Sequence, residues 1–69
     1  MLRLFFYRTS AGLSLRELSG RCEEAGCYVS PSFLNRLERG ENTDCSFQIK
    51  EVLQKIFKRK NVLEEADDA

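Results

Sequence analysis

The sequence predicts an all-α protein, a compact bundle of four to five short helices. Apolar residues recur at three- and four-residue steps rather than in strand-like alternation, and Gly12, Gly26 and Gly40 punctuate the periodic stretches. Ser14 and Ser30 stand just ahead of two of those stretches, where a helix start wants a hydroxyl. A chain of 69 residues is one domain, 1–69, and folding hides only about 60% of the surface its unfolded chain exposes, so its own core is small.

The first helix is expected from about Leu2 to Ser10, stopping near Gly12. The second begins after Ser14 with Glu17 at capping-box spacing, carries Leu15, Leu18 and Cys22 as its apolar stripe, and stops at Gly26. The third runs from Pro31 to about Arg39, with Ser30 as N-cap, proline at the first position where its missing N–H costs nothing, and Gly40 as the stop. A polar loop, Glu41-Asn42-Thr43-Asp44, leads to a fourth helix from about Ser46 to Lys58, with Phe47, Ile49, Val52, Leu53, Ile56 and Phe57 on its core side. A fifth segment, Asn61 to Ala66, reads as a helical turn or as part of a frayed acidic tail over 60–69.

Composition excludes several classes. An apolar share of 42% with 32% charged residues describes a soluble globular chain. No apolar run approaches the roughly 20 residues a bilayer requires. The opening Met1 to Arg8 is apolar but interrupted by arginines, a poor signal peptide, so the expected location is cytoplasmic. Three cysteines, Cys22, Cys27 and Cys45, form no even disulfide set, and with no histidine they lack the spacing of a structural zinc site. Reduced thiols and no cofactor or metal are expected. An enzyme is not expected either, because no nucleophile sits beside a recognisable base and no glycine-rich phosphate loop is present. No small-molecule ligand suggests itself.

Net charge is zero, but its distribution is uneven. Residues 1–60 hold all 11 basic residues and 7 of the 11 acidic ones, a net of +4, while Glu64, Glu65, Asp67 and Asp68 make the end acidic. Projection of the third helix at about 100° per residue places Leu34, Leu37, Glu38 and the cap Ser30 on one side. Ser32, Phe33, Asn35, Arg36 and Arg39 sweep across the other, with two arginines, an exposed aromatic ring and no carboxylate. Arginine forks match guanine edges or phosphate, Asn and Ser bond bases or backbone, and a ring can touch a thymine methyl. Two helices in this order, the second short and capped, form the arrangement that presents a recognition helix to double-stranded DNA.

The runs Leu13-Ser14-Leu15-Arg16-Glu17-Leu18-Ser19 and Val29-Ser30-Pro31-Ser32-Phe33-Leu34-Asn35-Arg36-Leu37-Glu38-Arg39-Gly40 resemble the phage repressor and Cro type of helix-turn-helix, the xenobiotic-response-element family. The resemblance covers residues 4 to about 57 and implies a lambda-repressor-like bundle, sequence-specific operator binding, dimeric action and transcriptional control, as in a repressor. It implies that Ser14 anchors the second helix on phosphate, that Pro31, Ser32 and Arg36 meet base edges, and that Phe33, Asn35, Arg39 and Asn42 lie beside them. With Arg16 and Ser30 these complete the expected DNA-contacting set. Arg8 and Glu38 match a pair that the family often joins as a partly buried salt bridge.

The sequence departs from the family pattern in two places. About five additional residues lie between Ser19 and Val29, so the second helix is extended by roughly a turn or a loop replaces the tight turn. Leu15 stands where the family frequently has a phosphate-touching glutamine. A competing expectation is a module of the same fold, antitoxin-like, that binds protein through Phe5, Phe6, Tyr28 and Phe33. A homodimer is expected from the small core and from Val62 and Leu63, apolar residues left over near the C-terminus.

Overall fold

The first N–H groups of any helix lack acceptors within it, so helix starts form where something else accepts. A computed structural model describes residues 1–41 and 46–65. It contains α1 (Arg3–Ser10), α2 (Leu15–Glu24), α3 (Pro31–Glu38) and α4 (Phe47–Phe57). At α2 the Ser14 hydroxyl accepts from the Glu17 N–H, and the Glu17 carboxylate accepts from the Ser14 N–H, completing the capping box. The Ser30 hydroxyl accepts from the Phe33 N–H ahead of α3, and the Ser46 hydroxyl accepts from the Ile49 N–H ahead of α4.

Helix α1 has no such side chain, because Leu2 precedes it. Its acceptors come from the other end of the chain: the Arg3 N–H donates to the Glu64 carbonyl and the Leu4 N–H to the Val62 carbonyl, both at 2.8 Å. Residues 61–65 form a turn that ends in an antiparallel bridge between Glu65 and Leu2, with the Tyr7 hydroxyl donating to Asn61 Oδ1 at 2.7 Å. Of the two expectations for this segment, a helical turn or a frayed tail, residues 61–65 take a turn, with the Glu64 N–H on the Asn61 carbonyl, and add no fifth helix. The segment is too short to close several helical bonds of its own, and its carbonyls satisfy α1 instead. Four helices and no strand stand among the described residues. Residues 66–69 of the expected tail, together with Asn42, Thr43, Asp44 and Cys45, lie outside the described residues.

One apolar cluster joins all the elements. Leu4, Leu18, Cys22, Leu34, Leu53 and Val62 are fully enclosed, with Leu2, Val29, Leu37 and Val52 around them. Helix α2 packs on α3 and α4, and α1 packs on α3. The Cα radius of gyration, 10.8 Å, is close to the roughly 11 Å of a compact chain this long. Val62 is buried and Leu63 packs against the core, so neither is left over for a second copy.

Phe47 also departs from expectation: 76% exposed, it faces away from the core. At 100° per residue it lies roughly 170° from the centre of the face formed by Ile49, Val52, Leu53 and Ile56, so a step count alone misassigns it. No helix among the described residues is long and apolar enough to cross a membrane.

Candidate nucleic-acid interface

Helix α3 divides as its sequence pattern requires. Leu34, Leu37 and Glu38 are buried, while Ser32, Asn35, Arg36 and Arg39 are exposed along the opposite side. Its first turn carries no acidic residue. Pro31 and the cap Ser30 are half-buried at the start of the helix. Phe33 corrects the expectation of an exposed aromatic: it is half-buried and packs against the core, because it flanks the inner stripe four residues before Leu37. The polar part of the outer face therefore consists of Ser32, Asn35, Arg36 and Arg39.

Glu38 is the one carboxylate on the inner side of α3, 1% exposed, and it is paired. Arg8 of α1 meets it with two bonds, Nε to Oε2 at 2.6 Å and Nη2 to Oε1 at 3.2 Å. This fork geometry suits a desolvated carboxylate. The remaining nitrogen of the same guanidinium, Nη1, donates to the Leu13 carbonyl at 2.8 Å. Leu13 immediately precedes the α2 cap Ser14, so a single arginine ties the start of α2 to the far end of α3. Arg8 thus positions the two elements that carry the candidate contacts.

The start of α2 is less open to an anion than the resemblance implies. Ser14 and Arg16 are exposed, but the Glu17 carboxylate already accepts from the Ser14 backbone N–H at 2.9 Å. The hydrogen bonds from Ser14 hold the Glu17 carboxyl below its ordinary range, so it is ionised at neutral pH. A negative group therefore occupies the helix terminus that a phosphate would favour, leaving the exposed Arg16 as the side-chain donor there. Leu15 beside them packs against the core.

The additional residues between Ser19 and Val29, expected either to extend α2 or to replace the tight turn with a loop, do both. Helix α2 continues to Glu24, and residues 25–30 link it to α3. Gly26 at φ +99° reverses the chain, with its N–H on the Glu23 carbonyl and the Cys27 N–H on the Cys22 carbonyl. The Ser19 hydroxyl then donates to the Val29 carbonyl at 2.6 Å inside the core, clamping the loop onto α2. The aim of α3 is fixed by this buried bond and by Arg8 rather than by a tight turn. Cys22 and Cys27 are free thiols; burial, with a smaller contribution from Cys27, pushes the Cys22 thiol up to about 11 and keeps it neutral. No group of side chains able to hold a metal occurs among the described residues.

One residue of the face escaped the sequence reading. Gly40, at φ +76°, ends α3 with its N–H on the Leu37 carbonyl and the Glu41 N–H on the Arg36 carbonyl. That paired pattern brings the residue after the glycine beside the residue five positions earlier. Glu41 therefore faces both outward arginines, 3.9 Å from Arg36 Nε and 3.6 Å from Arg39 Nη1. The signal was present in the sequence, since a glycine stop followed by glutamate places a carboxylate over the last turn. Asn42, expected in the adjoining loop, lies outside the described residues.

Comparisons with protein-family models, with curated proteins and with solved structures return no match for the chain.

Proposed function

We propose that the chain is a sequence-specific double-stranded DNA-binding regulator of the helix-turn-helix type, with α3 entering the major groove. The observation that carries this reading is the two-sided character of α3. Its inner side is fastened by Leu34, Leu37 and the Arg8–Glu38 pair, and its outer side offers Ser32, Asn35, Arg36 and Arg39. A rigidly held helix with two outward guanidiniums and two small hydrogen-bonding side chains matches the donor and acceptor pattern of base edges and phosphates. Arg16 supplies a backbone contact from α2. Action as a homodimer on two half-sites about one helical turn apart belongs to the same proposal.

Binding to a cognate duplex selected from random DNA, followed by fluorescence anisotropy, weakens steeply as salt rises. Arg36→Ala costs about 1–3 kcal/mol and blurs one base preference. Salt-insensitive binding, or none to a genomic fragment library, would overturn the reading. A second reading, a protein-interaction module of the same fold, is favoured by Tyr28 and Phe47, 61% and 76% exposed. Large rings in water are typical anchors of a protein contact. Tyr28→Ser with Phe47→Ser leaves DNA affinity unchanged on the first reading.

A further inference from the structure

We infer that Glu41 is a built-in acidic competitor that holds the Arg36 and Arg39 guanidiniums and yields them to the phosphates of a polyanion. The inference rests on the DNA reading for the identity of that polyanion. Three observations support it. The turn at Gly40 places the Glu41 carboxylate opposite both arginines, with Oε1 toward Arg36 Nε and Oε2 toward Arg39 Nη1, so one acid engages two bases. At 3.9 and 3.6 Å these are ion pairs without close hydrogen bonds, and Arg36, Arg39 and Glu41 are 64%, 60% and 46% exposed. Exposed pairs of this kind are weak and screened by salt, which makes them displaceable. By contrast, Arg8 and Glu38 form a short, enclosed fork and serve only to fasten the fold.

The consequence is electrostatic. A phosphate approaching either arginine meets a guanidinium whose charge is partly compensated, and it is itself repelled by the Glu41 carboxylate. Weak sites on arbitrary DNA are penalised. A sequence that engages both arginines with base edges and phosphates displaces the acid and recovers full attraction. Glu41 thereby acts as a specificity determinant, lowering background affinity more than cognate affinity.

Elution from immobilised heparin, a polyanion without base sequence, tests the competition independently of DNA. Glu41→Gln elutes at higher salt than both the wild type and Glu24→Gln, which removes the same charge from an exposed position at the end of α2. When Arg36→Ala and Arg39→Ala are present in both, the difference between Glu41→Gln and Glu41 falls to that produced by Glu24→Gln, the effect of the lost charge alone. On random duplex DNA, Glu41→Gln gains about 2- to 10-fold in affinity, the range for two exposed ion pairs, and the log–log salt slope steepens by roughly 1. Glu41→Gln eluting with Glu24→Gln, or keeping its advantage without the two arginines, overturns the inference. If the heparin difference holds while no protein binds duplex DNA, the competitor stands and the DNA reading falls.

Discussion

The start of α1 and the start of α3 solve the same problem with different parts of the chain. At α3, Ser30 accepts the Phe33 N–H from three residues away, and Pro31 removes one donor from the helix start. At α1, Leu2 offers no acceptor, and carbonyls of Val62 and Glu64, some sixty residues on, take the Leu4 and Arg3 N–H groups. The helix nearest the candidate interface is thus capped by its own sequence. The helix that anchors it is completed only when the chain closes on itself.

The largest expected break in that comparison is Arg8→Ala. It leaves Glu38 enclosed without its partner and releases the Leu13 carbonyl, costing about 3–5 kcal/mol, a large share of the stability of a small domain. Thermal unfolding followed by far-ultraviolet circular dichroism shows a collapse of Tm, and an unchanged midpoint would remove Arg8 from its positioning role. Val62→Ala attacks the closure itself and costs about 2 kcal/mol through lost burial and the space left behind. In hydrogen exchange the Arg3 and Leu4 amides lose protection in this variant before those of α3; uniform loss would show that the closure is no separate feature.

Ser30→Ala probes the local solution and costs about 1 kcal/mol. The effect in chemical denaturation should be smaller than that of Val62→Ala, and the reverse order would contradict the contrast drawn between the two helix starts. The smallest change runs in the stabilising direction. Lys58 closes α4 at φ 55°, with the Arg59 N–H on the Gln54 carbonyl, a geometry that glycine adopts without crowding. Lys58→Gly should raise stability by about 1 kcal/mol, less the entropy that glycine adds to the unfolded chain.

Acid treatment separates the regions further. The Glu17 carboxyl lies below its ordinary range in the folded chain, so its capping-box contribution is present above the unfolded value and lost as pH falls through the folded one.

Much of the fold was legible because its signals are short-range. Ser14 with Glu17, Ser30 with Pro31, and the stops at Gly12, Gly26 and Gly40 each act within a few residues, and the elements they bound appear where expected. The outward row Ser32, Asn35, Arg36 and Arg39 was legible for the same reason, since helical geometry alone separates it from Leu34 and Leu37. Phe33 and Phe47 were harder. Phe33 sits at an angle where periodicity does not decide burial, and neighbouring elements put its ring against the core, whereas Phe47 lies opposite the core face and was misplaced by counting apolar steps without projecting them. Val62 and Leu63 looked spare only because their use, against α1 and the core, lies at the opposite end of the chain.

The sequence by itself determined the all-helical class, the helix limits to within a residue or two and the polar row on α3. Capping, proline geometry and helical periodicity are properties of a few adjacent residues. Tertiary structure alone decided that residues 61–65 cap α1 and that Arg8 spans Glu38 and Leu13. It also decided that the Ser19 hydroxyl reaches the Val29 carbonyl. Each of these joins groups whose need for a partner arises only once water has been excluded around them, and no local rule specifies which distant atom will meet that need.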